Sequence, residues 1–144
     1  LAVYDEFVPK EFRELTDTKL KEAGLTNAQT VCFGNLRDLW ALTKFASVVI
    51  GPDSMMVHIA GSLGTPCVGL WGPINPESRV KYYKKHVPVY HREFCPHSPC
   101  FAYTGKFPRY CPPKPTERTV CECIAGISSG EIVDAVAEAL KLHG

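Results

Sequence analysis

A chain of 144 residues, 45% hydrophobic and 22% charged, has the size and composition of a soluble domain with a real core. Its formal net charge of +1 excludes a global attraction to nucleic acid or to an anionic membrane, so any anion binding must be local. The sequence holds no apolar run near the roughly 20 residues that span a bilayer, and its opening, LAVYDEF, has neither the basic start nor the apolar core of a signal peptide.

Leu1–Tyr4 reads as a strand, followed by a loop at Asp5-Glu6-Phe7-Val8. A chain that opens inside a strand, without Met, reads as a piece of something larger. Pro9 suits the first turn of a helix, and Glu11 adds negative charge near its N-terminus. Phe12, Leu15, Leu20 and Ala23 supply a rough apolar stripe, and Gly24 ends it. Thr30–Phe33 is a second strand. Gly34-Asn35 turns the chain into a second helix, with Leu36, Leu39, Leu42 and Phe45 at helical spacing.

The most informative stretch runs from Ser47 to Pro76. SVVI is a short β-branched strand. Gly51-Pro52-Asp53-Ser54 ends it and offers Asp53 or Ser54 as a helix N-cap. Met55–Leu63 is the helix, Gly64 its stop, and Cys67–Trp71 the next strand, broken by Gly72-Pro73. Two apolar strands joined by a helix imply a parallel βαβ unit. The Asp53 and Gly72 loops then fall at the carboxyl ends of neighbouring strands, the edge on which open α/β sheets bind ligands. The helix start at Asp53–Ser54 also offers free N–H groups to an anion. His58, one turn in, is either a solvated histidine or a donor to a phosphate oxygen.

The order β-α-β-α-β-α-β predicts a Rossmann-like three-layer α/β domain with a small parallel sheet, residues 1–144 forming a single unit. Beyond Pro76 the pattern changes. Arg79, Lys81, Lys84 and Lys85 form a basic run, read as a solvated face that can also attract an anionic substrate. Val87–Tyr90 reads as an edge strand, because Pro88 lacks a ladder donor. Residues 91–127 form a Cys/Pro-rich loop without helical or strand period. Ser128 and Glu131 make a capping box for a last helix, whose apolar face is Ile132, Val133, Val136, Ala137 and Leu140.

Seven cysteines, with no secretion signal, argue for a reducing compartment. Cys32 and Cys67 sit inside strand patterns and read as core. The other five run Cys95-x4-Cys100-x10-Cys111-x9-Cys121-x-Cys123. Four thiolates can hold a tetrahedral, structural Zn²⁺ that pins the loop. Free or partly disulfide-linked cysteines are the plainer alternative.

Several motifs occur in order: Val49-Ile50-Gly51-Pro52-Asp53-Ser54, His58-Ile59-Ala60, Leu63-Gly64-Thr65-Pro66 and Gly72-Pro73-Ile74-Asn75-Pro76. Together they resemble the carboxyl-terminal signature of glycosyltransferase family 9, the ADP-heptose:lipopolysaccharide heptosyltransferases and relatives, of the GT-B fold. The tail resembles it too, at Pro99-Cys100, Cys111-Pro112, Cys123 and Ile127-Ser128-x-x-Glu131, so the likeness covers most of the chain.

The resemblance implies the donor-binding half of an inverting, metal-independent nucleotide-sugar transferase. It places Asp53, Ser54 and the amides of Met55 and Met56 at the donor diphosphate, with His58 beside them. Gly72 and Pro73 would border the sugar, Gly34 the base, and Glu6 or Glu11 the ribose. Cys95, Cys100, Cys111 and Cys123 are the preferred zinc set, because they match the family's tail. Partners would be a nucleotide-diphosphate sugar, a glycolipid or glycan acceptor, and an amino-terminal acceptor domain supplying the base. The location would be cytoplasmic, at the inner face of the membrane. One departure stands out: the family has Gly-Pro where this chain has Met55-Met56. The rival reading is a non-catalytic, zinc-pinned α/β interaction module.

Overall fold

The computed structural model describes residues 2–5, 9–94, 98–100 and 122–142. The chain divides into two compact units, Leu1–Leu42 and Thr43–Gly144. Among the described residues two strands pair in the first unit and three in the second.

In the first unit, β1 (Ala2–Asp5) pairs in parallel with β2 (Thr30–Phe33), Val3 lying opposite Val31. The crossover helix α1 (Lys10–Glu22) follows Pro9. Its end is chemically specified. Gly24 takes φ +73°, which lets the Leu25 N–H reach the Leu20 carbonyl and the Gly24 N–H reach that of Lys21. The expected apolar stripe of α1 is not a buried one: Phe12 is 56% and Leu15 53% exposed. Cys32, expected in the core, is also exposed. Within the first unit β2 pairs with β1 alone among the described residues.

The second helix, α2 (Leu36–Phe45), spans the boundary between the units in sequence. Asn35 caps it, its Oδ1 accepting the Asp38 N–H at 3.0 Å. Leu39 and Thr43, one turn apart, are its buried residues, whereas Leu36 and Phe45 of the expected stripe are exposed.

The second unit holds β3 (Val49–Pro52), β4 (Cys67–Trp71) and β5 (His86–Tyr90), all parallel and in that order. The strand read at SVVI starts two residues later than expected, because Val49 is the first residue paired with β4. Between β3 and β4 runs α3 (Met55–Leu63), stopped by Gly64 at φ +69°. One face of the sheet, through Val49, Cys67 and Trp71, packs with Val57 and Ala60 of α3 and with Ile74 and Val80. The opposite face, through Val68, Val87 and Val89, packs with Ala135 and Ala139 of α6 (Ser129–Lys141). The result is helix, parallel sheet, helix, as the sequence implies.

The start of α6 is the capping box predicted from Ser128 and Glu131. Its buried face, however, is Ala135 and Ala139 with Val136, while Val133 and Leu140 are exposed. The small alanines let the helix axis approach the sheet, and the true i, i+4 set wins over the bulkier residues.

Short elements appear where the sequence showed no period: α4 (Glu77–Val80), a 3-10 turn at Arg92–Phe94, and α5 (Glu122–Ala125). Most of the Cys/Pro-rich loop, residues 95–97 and 101–121, lies outside the described residues. Among the described strands β5 lies at the edge, as Pro88 leads one to expect. The Cys67 N–H donates to the Lys85 carbonyl, so by the two-residue period Val87 and Val89 turn their backbone to β4. Pro88 therefore faces away from the ladder and removes no hydrogen bond from it.

Candidate functional site

β3 delivers the chain to Asp53 and Ser54 at its carboxyl end, and α3 begins at once with Met55. Ser54 occupies the N-cap position in an extended conformation (φ −146°, ψ 170°), but its hydroxyl makes no capping bond. The expected side-chain cap is therefore not formed by either candidate. The amides of Met55, Met56 and Val57 belong to the first turn and have no acceptor within the helix. Val57 is fully buried, so it is the Met55 and Met56 amides that are left to an external anion, with the positive end of the helix dipole behind them.

Asp53 is occupied elsewhere. Its Oδ1 lies 3.1 Å from His58 Nε2 and its Oδ2 3.8 Å from Arg79 Nε. The Asp53 side chain is 21% and the Arg79 side chain 33% exposed. A pair this open to water contributes at most about 1 kcal/mol to stability. Its consequence is placement: a guanidinium, a forked donor suited to phosphate, is tethered beside the start of α3.

His58 is a link between elements. While Nε2 meets Asp53, Nδ1 lies 3.1 Å from the Tyr83 hydroxyl, and the two rings meet edge to face at 6.0 Å. Both ring nitrogens are thus engaged by protein groups, and neither is turned to an external phosphate in this arrangement. Met55 is 48% exposed, so its side chain is carried at the surface. Met56 packs against the core.

Gly72 lies beneath α5. A Cβ there would stand within 3.0 Å of Ile124 and of Cys123 Sγ. Its carbonyl accepts the buried Ser98 hydroxyl at 3.0 Å, and Ser98 also meets the Tyr90 hydroxyl at 3.1 Å. The Gly72-Pro73 loop is therefore fixed from below. Gly34 closes β2 in the first unit, with open space where a Cβ would stand. Glu11 is exposed in the first turn of α1, and Glu6 lies outside the described residues. Cys100 is half-buried and Cys123 buried; Cys95 and Cys111 lie outside the described residues. Among the described residues no three metal-binding side chains converge.

Under the site lies a pair that sequence reading missed. Trp71, fully buried, donates Nε1–H to His86 Nε2 at 3.4 Å, with the rings edge to face at 5.7 Å. Burial, and secondarily the charge of His58, lower the His86 pKa from 6.5 to about 4. Between those values the unfolded chain binds the extra proton, so His86 stabilises the fold fully above pH 6.5 and progressively less as pH falls toward 4. Urea midpoints at pH 7 and pH 5 should therefore differ more for the wild type than for His86→Gln.

With this geometry in place, the sequence profile of glycosyltransferase family 9 (heptosyltransferase) matches residues 10–111, more than half of the chain. The chain belongs to glycosyltransferase family 9. It is a glycosyltransferase, of a family that joins a nucleotide-sugar donor to an acceptor. A search of curated proteins and a search of solved structures each returned no match. No helix among the described residues of this glycosyltransferase is long and apolar enough to cross a membrane.

Two residues at the glycosyltransferase's α3 terminus, Arg79 and Tyr83, were legible only as part of a basic, aromatic surface run. A usable signal did exist. Arg79 follows Pro76 by three residues, just past the strand-end loop at Gly72, so the chain has barely left the ligand-binding edge of the sheet.

Proposed function

We propose that this chain is the donor-binding half of an inverting GT-B enzyme that takes an ADP-heptose-like nucleotide sugar in the synthesis of lipopolysaccharide or another surface glycan. The observation that carries the reading is the start of α3. A helix of nine residues opens at a strand's carboxyl end without a side-chain cap, beside an arginine tethered through Asp53.

A donor diphosphate suits such a place. The acceptor hydroxyl attacks the anomeric carbon, the sugar–phosphate bond breaks, and negative charge grows on the leaving diphosphate. A base from the companion acceptor domain takes the hydroxyl proton. The α3 amides and Arg79 stabilise the leaving group, and preorganised donors of this kind are worth about 3–4 kcal/mol each. No metal is called on for this step. Asp53 and His58 hold the arrangement in place, and Gly72 and Pro73 border the sugar. The reaction belongs at the cytoplasmic face of the inner membrane, with a glycolipid or glycan as acceptor.

Calorimetric titration with ADP, UDP and GDP tests this. ADP should bind tightest, and Arg79→Ala should weaken it about tenfold, near 1.4 kcal/mol. Absence of binding by all three nucleotides at about millimolar concentration, a standard free energy near −4 kcal/mol, overturns the reading. A structural zinc on Cys95, Cys100, Cys111 and Cys123 is a separate proposal carried by the sequence pattern. Elemental analysis finding well under one zinc per chain overturns it.

A further inference from the structure

We propose that Tyr83 is a positioning residue of the anion site, acting through His58. The inference deepens the reading above and rests on it for the ligand alone. Three observations converge on the phenol.

The first is the hydrogen-bond chain. The Asp53 carboxylate can only accept, so His58 Nε2, at 3.1 Å, must carry a hydrogen. In the neutral imidazole Nδ1 is then the acceptor, and the Tyr83 hydroxyl at 3.1 Å donates to it. The phenol therefore selects the Nε2–H tautomer, the one that can hold Asp53.

The second is a built place for the ring. Gly61 lies on α3 one turn beyond His58, and any Cβ there would overlap the Tyr83 ring. The tyrosine packs over a helix surface that lacks a side chain, and this close approach brings its hydroxyl to His58. A glycine inside a helix is destabilising by roughly 1 kcal/mol against alanine, so its presence at a place of contact needs a reason.

The third is shared backbone. The Tyr83 N–H donates to the Val80 carbonyl at 2.9 Å, and Val80 is buried in the core one residue after Arg79. Tyr83 and Arg79 thus ride on one anchored segment. That segment meets the start of α3 at two points, Tyr83 on His58 and Arg79 on Asp53. Loss of the phenol frees the imidazole to rotate or change tautomer, Asp53 loses its fixed aim, and the guanidinium loses its tether.

Tyr83→Phe removes the hydroxyl and keeps the ring on Gly61. Two measurements are made on the wild type and the variant: the ¹⁵N shifts of the His58 ring at neutral pH, and ADP affinity by calorimetry. The wild type should show the Nε2–H tautomer. The variant should lose that preference and bind ADP about three- to tenfold more weakly, as loss of one hydrogen bond implies. A wild-type Nδ1–H tautomer overturns the inference, whether or not the variant folds. So does a variant that keeps both its tautomer and its ADP affinity. A wild type that fails to bind ADP removes the proposed donor site, and the tautomer measurement then decides the role of Tyr83 alone.

Discussion

Replacing Trp71 with alanine is expected to destabilise the fold by about 3–5 kcal/mol, the range for emptying a buried tryptophan position. Trp71 is fully buried at the end of β4 and belongs to the cluster formed by Val49, Val57, Ala60, Cys67, Ile74 and Val80. Alanine leaves a cavity among residues held by two strands and a helix, which cannot close together without breaking the parallel ladder. It also removes the donor that His86 Nε2 meets at 3.4 Å. Trp71→Phe separates these contributions: it retains most of the volume and loses only the N–H. Urea unfolding should place the two variants in that order, with an unchanged dependence on denaturant. A Trp71→Ala protein with a wild-type midpoint would remove Trp71 from the core as described.

The second large effect is expected at Gly69, in the middle of the central strand. A Cβ at this position would stand within 3.0 Å of Trp71 Nε1 and Cε2 and of His86 Nε2. The indole folds back over its own strand, and the missing side chain is the space it occupies. In a strand, glycine to alanine usually helps, because glycine has more conformational freedom to lose. Here the neighbours are a fully buried indole and a half-buried imidazole, neither with a free end to swing aside. Overpacking of that kind costs about 1–3 kcal/mol, and the larger end is expected because the Trp71–His86 bond breaks as well. Gly69→Ala should lower the urea midpoint. It should also flatten the loss of stability between pH 7 and pH 5, because an unseated His86 titrates nearer its ordinary value.

Local signals carried much of this. Gly64 and Gly24 end their helices with positive φ, and Ser128 with Glu131 caps the last one, because each depends on a few consecutive residues. The βαβ unit at residues 49–71 was legible for the same reason, and the ordered motifs within it led to the family. What was not legible depended on which distant residues meet. Asp53 looked like a cap, but its carboxylate is claimed by His58 and by Arg79, and Arg79 is 26 positions further along (79 − 53). Nothing in the neighbouring sequence marks Gly61 or Gly69 as a place where a ring takes up the room of a side chain. Helical stripes failed where bulky residues were counted ahead of small ones: α6 buries Ala135 and Ala139, not Val133 and Leu140.

Pro88 has one further consequence. It sits on the outer strand of the sheet with its backbone turned outward, at the middle of the five residues of β5. An outer strand normally presents a regular row of N–H and C=O groups on which another molecule can add a strand, and so begin self-association. The pyrrolidine nitrogen interrupts that row without disturbing the ladder inside. The same residue that made β5 recognisable as an edge thus keeps that edge from growing.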